Sequence, residues 1–181
     1  LYFMDIDLTP AQLVDFSAWI KRNRSKANSV PRHCLVFTHR TLQTPMQFRE
    51  CLWGRYNDSA TEQQNIFYRN LREAGVRFVV TGHLHAHDLY TITSPDRKHR
   101  LTSLICAPAG NKVLPLPLLL PTKSRVKTLQ YRSGITAYYI LTIHPDSMTL
   151  DTYAAPNNGT TDKGPQSDEF KKLPSYQIPM D

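Results

Sequence analysis

The first 81 residues alternate short apolar runs with helix-patterned segments, and this order constrains the fold more than any other feature of the chain. Three runs, at residues 1–6, 33–38 and 76–81, are compact and apolar, which is typical of strands buried on both faces of a sheet. A strand–helix–strand–helix–strand order predicts a parallel sheet covered by helices. We therefore expect an α/β fold.

Both intervening segments carry the patterns with which helices begin. Residues 9–12 (Thr-Pro-Ala-Gln) combine a capping threonine, a proline suited to the first helical position and a glutamine that completes a capping box. Residues 59–62 (Ser-Ala-Thr-Glu) predict a second capping box, and Gly75 predicts the end of that helix. Apolar residues at helical spacing predict the two buried helix faces: Leu13, Phe16 and Ile20, then Phe67, Leu71 and Ala74.

The second half of the chain predicts strands without intervening helices. Strand patterns occupy three runs: 101–107, 136–143 and 148–153. Residues 144–147 predict a hairpin turn between the last two runs. Residues 156–181 are polar and contain Pro and Gly, so we expect an extended or mobile tail after a domain that spans residues 1–155. Residues 41–58 show no clear period and predict a long loop or lid.

Length and composition indicate one globular domain. The chain has 181 residues, 40% of them hydrophobic, and a mean hydropathy of −0.43, which is typical of a globular rather than a disordered or fibrous protein. No apolar run approaches the roughly 18 residues that a membrane-spanning helix requires, so we do not expect a spanning membrane protein. The chain starts at Leu1, inside a predicted strand, so we expect it to be a piece of a longer protein.

The net charge of +7 favours anionic substrates, phosphate esters included. The basic residues form several short clusters rather than a continuous stripe with interleaved aromatic residues, so the sequence does not support a nucleic-acid surface.

The cysteines, Cys34, Cys51 and Cys106, are odd in number and widely spaced, and they form neither a CxxC pair nor a disulfide framework. This usage slightly favours a reducing, cytoplasmic compartment.

Histidines follow two of the predicted strands, at the end where open α/β sheets place their ligand sites. His39 comes directly after the run 33–38, and residues 82–88 (Gly-His-Leu-His-Ala-His-Asp) follow the run 76–81. Neutral imidazole is the commonest protein metal ligand, and a His-x-His spacing allows two rings to serve one metal ion or two adjacent ions. The other histidines have structural or solvent-exposed roles in our interpretation: His33, His99 and His144.

These motifs resemble those of the calcineurin-like metallophosphoesterases. Residues 82–85 (Gly-His-Leu-His) resemble the GHxH motif that closes that family's site, and residues 36–39 (Val-Phe-Thr-His) are similar to its earlier strand-end histidine. The longer run 82–88 resembles the GHxHxYE motif of the purple acid phosphatase branch. The resemblance covers residues 1–155. It implies the C-terminal half of a four-layer α/β/β/α sandwich, with the later strands in the second sheet.

The resemblance also implies a binuclear metal site and a reaction. Two divalent or trivalent ions (Mn, Fe or Zn) would hold a metal-bound hydroxide that attacks the phosphorus of a phosphate ester. His39 and His83 would ligate one metal ion, and His85 would ligate the other. Arg40 would contact a phosphate oxygen. His87 stands where the purple acid phosphatases have a tyrosine, and it would contact the substrate.

The acidic motifs of the family do not occur in this sequence. The chain contains no D-x-H, no G-D-x-x-D and no G-N-H, the motifs that supply the bridging aspartate and other ligands. We interpret Asp5 and Asp7 as strand-end and turn residues rather than a displaced first motif. The missing ligands would come from a preceding half of the same domain or from a partner chain, and we expect the isolated chain to be inactive.

Two other hypotheses stay open on the sequence alone. One is a mononuclear zinc hydrolase that uses His83 and His85 with His87 or His39 and keeps one position open for water. The other is a degenerate phosphoesterase half that acts as a non-catalytic interaction module. A nuclease would be a substrate variant of the phosphoesterase hypothesis, recognised by salt-sensitive binding to DNA or RNA.

Overall fold

Two helices lie on one face of a six-stranded sheet, and a smaller sheet lies on its other face. The structure is a computed structural model. It describes residues 2–4 (backbone only), 8–26, 33–43, 51–53, 60–109, 125–157 and 169–179. Asp5 and Asp7, interpreted above as strand-end and turn residues, lie outside the described residues.

The elements follow one another in the alternating order that the first half of the sequence predicts, and strands dominate the second half. The helices are α1 (Pro10–Lys26) and α2 (Thr61–Glu73). The first sheet contains β1 (Tyr2–Met4), β2 (Cys34–Thr38), β3 (Val76–Thr81), β4 (His87–Thr93), β5 (Arg100–Ile105) and β6 (Val126–Arg132). The second sheet contains β7 (Ile135–His144), β8 (Ser147–Pro156), β9 (Lys171–Lys172) and β10 (Tyr176–Ile178).

The first sheet is mixed, with strand order β1-β2-β3-β5-β4-β6. Strands β1, β2, β3 and β5 are parallel, whereas β4 pairs antiparallel with both β5 and β6. The predicted α/β class is confirmed. The prediction that the run 101–107 belongs to the second sheet is wrong. This run forms β5 inside the first sheet, because a tight turn after β4 returns the chain into the space between β4 and β3.

Helix α1 begins with the predicted capping box. The Thr9 amide donates to Gln12 Oε1 at 2.8 Å, and the Gln12 amide donates to Thr9 Oγ1 at 3.3 Å. Leu13 and Ile20 are fully buried, and Phe16 packs at the edge of the same cluster. The first turn and the buried face of this helix are therefore confirmed.

Helix α2 begins differently from the prediction and ends as predicted. Its N-cap is Ala60, which has a φ of 51° and no capping side chain, whereas the predicted box places the cap at Ser59. Ser59 lies outside the described residues. At the other end, Gly75 has a φ of 79° and its amide donates to the Arg72 carbonyl at 3.0 Å, which is the conformation that ends a helix.

Two apolar clusters bury the two faces of the first sheet. The helices and the adjoining sheet face share one cluster, which includes Leu13, Ile20, Phe67, Leu71, Val36 and Val76. The sheets share the other: Phe78, Leu89, Leu104, Met148, Leu150 and Ile178. The described residues thus form three layers, α/β/β. A fourth, helical layer stays a prediction.

Two segments predicted as irregular contribute to the packed structure. Leu42, Leu52 and Trp53 are buried in the helix-side cluster, so the described ends of the predicted lid at 41–58 are core. The lid's central residues lie outside the described residues. In the predicted tail, β9 and β10 pair with β8, so residues 169–179 extend the second sheet. No helix in the described ranges is long and apolar enough to cross a membrane.

Candidate functional site

The candidate site lies where β2 and β3 end side by side. These strands are parallel, with Thr38 opposite Thr81 at their carboxyl ends, so the residues that follow them meet at one edge of the sheet. His39 follows β2, and the turn formed by residues 82–86 follows β3 and leads into β4. We call this five-residue connection the histidine turn. The amide of Gly82 donates to the carbonyl of His39 at 3.1 Å, which joins the two segments.

The structure brings His39 and His83 together. Their rings meet edge to face with centroids 5.1 Å apart, and His83 Nδ1 lies 3.2 Å from His39 Nε2. That separation suits a hydrogen bond between the rings. It also suits a shared metal ion, since two nitrogens bound to one tetrahedral zinc at about 2.0–2.1 Å lie about 3.3 Å apart. The pair therefore fits two ligand positions of a single ion.

The histidine turn has a strained backbone. The Leu84 amide donates to the Gly82 carbonyl at 2.9 Å, so His83 is the centre of a γ-turn, and its φ of 70° gives that turn its rare, strained form. His85 also has a positive φ, of 52°. Buried Leu84 and Ala86 alternate with these two half-buried histidines and anchor the turn. Strain held by surrounding packing is common at functional sites.

A third protein ligand is not assembled beside the pair. Within the described parts of the chain, no group of three or more His, Cys, Asp or Glu side chains is placed to hold one metal ion. His85 is half-buried two residues beyond His83 in the same turn. The structure thus unites two of the predicted ligands, and the assignment of His39, His83 and His85 to metal ions stays a prediction.

His87 lies inside the fold as the first residue of β4. It is fully buried (0% exposed), its ring stacks on Tyr139 of β7 at 5.8 Å, and its Nδ1 lies 3.3 Å from the Tyr139 hydroxyl. Burial lowers the pKa of His87 to about 4 against a raising effect of Gln130. This position does not support the predicted substrate contact, because a substrate would have to separate the two sheets to reach the ring.

Arg40 is half-buried next to His39. Burial raises the pKa of the Cys51 thiol, and the positive charge of Arg40 is among the weaker effects that lower it. Arg40 is therefore within electrostatic reach of the buried Cys51. Its predicted contact with a phosphate oxygen stays a prediction.

Sequence reasoning assigned no role to Asp88, the last residue of the run 82–88. The side chain is 1% exposed, and neither carboxylate oxygen has a hydrogen-bond partner among the described residues. Burial raises the pKa of Asp88 to about 7. The position of Asp88 between a histidine and an apolar segment could have marked it as a candidate site residue. Its burial follows from the pairing of β4 with strands on both sides, which only the structure reveals.

Comparison by sequence finds no relatives. No protein-family model matches the chain. No curated protein matches it at a significant level.

Comparison by structure finds similar folds. One solved structure is described as "GAP50 the anchor in the inner membrane complex of Plasmodium", with a TM-score of 0.50, 11% identity, and coverage of 93% of this chain and 42% of that one. Another is described as "Structure of PhoD", with a TM-score of 0.50, 11% identity, and coverage of 91% of this chain and 35% of that one. At 11% identity both likenesses concern the fold alone. The chain therefore shares its fold with less than half of each longer chain.

Proposed function

We propose that this chain is the histidine-bearing half of a metal-dependent phosphoesterase. The observation that carries the proposal is the convergence of His39 and His83 from adjacent strand ends, with ring nitrogens 3.2 Å apart. The likeness in fold to two purple acid phosphatase-like structures supports the same function class. The net charge of +7 is favourable for an anionic phosphate ester.

The proposed ligands divide between two metal ions of the kinds Mn, Fe or Zn. His39 and His83 hold one ion, and His85 of the same turn holds the other. When bound, the ions supply Lewis-acid activation of water and stabilise the charge that develops on the phosphoryl group. Arg40, beside His39, orients the ester through a phosphate oxygen.

The chain's own residues shape the site around these ions. The hydrogen bond from Gly82 to the His39 carbonyl keeps the two segments in register, and buried Leu84 and Ala86 fix the path of the histidine turn. The two proposed ligand rings then stand together at the sheet edge. Acidic bridging ligands are supplied by a preceding half of the domain or by a partner chain, since the sequence contains none of the acidic motifs.

Metal titration of the 181-residue chain tests the ligand assignment. We expect a measurable heat of zinc or manganese binding by isothermal titration calorimetry, and its loss in His39→Ala and His83→Ala. His144→Ala is the matched control, because this exposed histidine lies at the far end of β7. Equal binding by all three variants and the unsubstituted chain would contradict the proposed metal site.

Hydrolysis of p-nitrophenyl phosphate tests the division into halves. We expect no turnover by the isolated chain with added Mn, Zn or Fe, and turnover once a segment with acidic ligands is present. Robust turnover by the isolated chain with one tightly bound zinc would instead establish the mononuclear hydrolase. If the protein neither binds metal nor hydrolyses the substrate after the acidic segment is restored, the non-catalytic module is established.

A further inference from the structure

Tyr139 of the second sheet reaches the carboxyl edge of the first sheet. Its hydroxyl accepts a hydrogen bond from the amide of Ala107 at 2.8 Å, and the same oxygen lies 3.3 Å from His87 Nδ1. The two rings stack with an interplanar angle of 18°. One phenol therefore contacts the residue that starts β4 and a residue just beyond β5.

The two contacts of Tyr139 lie where the histidine turn crosses the first sheet. Strand β5 lies between β3 and β4, so the turn from β3 to β4 must pass over the carboxyl end of β5. The Cys106 amide donates to the Thr81 carbonyl at 2.7 Å, which ties the end of β5 to the start of the turn. The Ala107 and His87 contacts of Tyr139 tie the same strand end to the finish of the turn.

One of the two hydrogen bonds has a defined direction, because the Tyr139 oxygen accepts from the Ala107 amide. A hydroxyl can both donate and accept, so the direction of the bond between Tyr139 and His87 Nδ1 follows the tautomer of the ring. With either tautomer, the Tyr139 hydroxyl links the Ala107 amide to the His87 ring.

We propose that Tyr139 is a positioning residue that holds the histidine turn in its strained form through His87 and Ala107. The turn carries two non-glycine residues with positive φ, and such backbone persists only where surrounding contacts determine it. Tyr139 supplies one such contact from the second sheet. Its consequence for metal binding rests on the proposed function, because His83 and His85 are the ligands that the turn presents.

Tyr139→Phe removes the hydroxyl and keeps the ring that stacks on His87. The matched control is Tyr138→Phe, the neighbouring residue on the outer face of β7, whose side chain is 47% exposed. We expect only Tyr139→Phe to shift the Nδ1 resonance of His87 in nitrogen-15 spectra of the 181-residue chain, because only this change removes the hydroxyl beside that nitrogen. We also expect faster amide exchange in the histidine turn of that variant. Unchanged ring and turn signals in Tyr139→Phe would overturn the proposal.

Metal affinity gives a second readout. We expect Tyr139→Phe to weaken zinc binding by up to about 10-fold, the lower end of the effect of a group that bonds a ligand directly, because Tyr139 acts on the ligands only through the turn. We expect Tyr138→Phe to leave the affinity unchanged. His87→Phe keeps an aromatic ring and removes the nitrogen that bonds the Tyr139 hydroxyl. The double variant should bind no more weakly than either single variant, since both remove the same link. Additive losses would overturn the link between Tyr139 and His87.

The two proposals fail in different ways. If neither the unsubstituted chain nor His83→Ala binds metal, the proposed function is contradicted. The spectroscopic test then decides the role of Tyr139 by itself. A chain that binds metal through His83 with equal affinity in Tyr139→Phe contradicts the positioning role alone. Unfolding curves of every variant confirm that each result comes from folded protein.

Discussion

At the scale of single residues, the histidine turn places its backbone strain on histidines rather than on its glycine. Gly82 is the first residue of the turn and has no left-handed φ, whereas His83 and His85 have φ values of 70° and 52°. A glycine directly after a strand favours a sharp turn or a close approach of the backbone. The pattern predicted correctly that the chain turns here. Which residue adopts the unusual conformation depends on the anchoring of Leu84 and Ala86, and only the structure shows that.

We predict that Gly82→Ala is tolerated and Gly75→Ala is not. A Cβ at Gly82 would meet His39 O at 3.8 Å and His39 Nδ1 at 3.9 Å, which are ordinary contacts, so the free energy of unfolding should stay within about 1 kcal/mol. At Gly75, with a φ of 79°, a Cβ would meet Arg24 Nη2 at 3.1 Å, and the loss should be about 1–3 kcal/mol. Urea unfolding of both variants measures the difference. Equal losses would show that Gly82 has a conformational role after all.

We predict that Asp88 makes stability decrease as pH rises. Its pKa is raised from 3.8 to about 7 in the folded protein, so the folded form binds the proton more tightly than the unfolded chain. The contribution of the Asp88 proton to the free energy of unfolding is complete below about pH 4. It is lost between about pH 4 and pH 7, and the loss is about 4 kcal/mol at most. Tyr90 and Tyr131 lie within electrostatic reach of Asp88, and both stay neutral over this range because their pKa values are raised above the ordinary value of 10.0.

Asp88→Asn keeps the shape of the side chain and removes the titration. The free energy of unfolding of the variant minus that of the unsubstituted chain should grow from pH 4 to pH 7. Burial lowers the pKa of His87 to about 4, so His87 alone makes stability rise with pH, and taking the difference between the two proteins cancels that effect. A difference that is constant with pH would mean that Asp88 is already ionised at pH 4 in the folded protein.

At the scale of elements, local signals were sufficient where an element is specified by its own residues. The capping box of α1, the Gly75 ending of α2 and the two-residue turn between His144 and Ser147 were all recognisable and are confirmed. Strands β4 and β6 were missed. Strand β4 contains His87 and Asp88 at buried positions, and β6 is a half-buried edge strand, so both depend on pairing with distant residues.

We predict that the capping box of α1 behaves as one unit. Thr9→Ala should lower the free energy of unfolding by about 0.5–2 kcal/mol, because it removes the acceptor for the Gln12 amide. Gln12→Ala should also destabilise, since it removes the acceptor for the Thr9 amide. The double variant should lose less than the sum of the single losses, because each change already weakens the reciprocal pair. Denaturant unfolding measures the coupling, and strict additivity would contradict a cooperative box.

At the scale of the whole molecule, the second sheet covers the face of the first sheet opposite the helices. Its apolar face packs Met148 and Leu150 against Phe78, Leu89 and Leu104 of the first sheet. The sequence indicated strands in the second half but assigned β5 to the wrong sheet. The alternation of apolar and polar residues along a strand identifies its buried face. Which layer covers that face depends on the topology of the whole chain, and a local pattern does not specify topology.

We predict that the contact between the sheets stabilises both the fold and the histidine turn. Leu104 is 1% exposed and lies in the middle of the shared cluster, so Leu104→Ala should cost about 2–5 kcal/mol. Ile140 lies on the outer face of β7 and is 46% exposed, so Ile140→Ala should change the free energy of unfolding by no more than about 0.5 kcal/mol. Leu104 is on the strand whose end the histidine turn crosses, so its variant should also speed amide exchange in residues 82–86. Loss of stability with unchanged exchange in the turn would show that the two sheets support the turn through the Tyr139 contact alone.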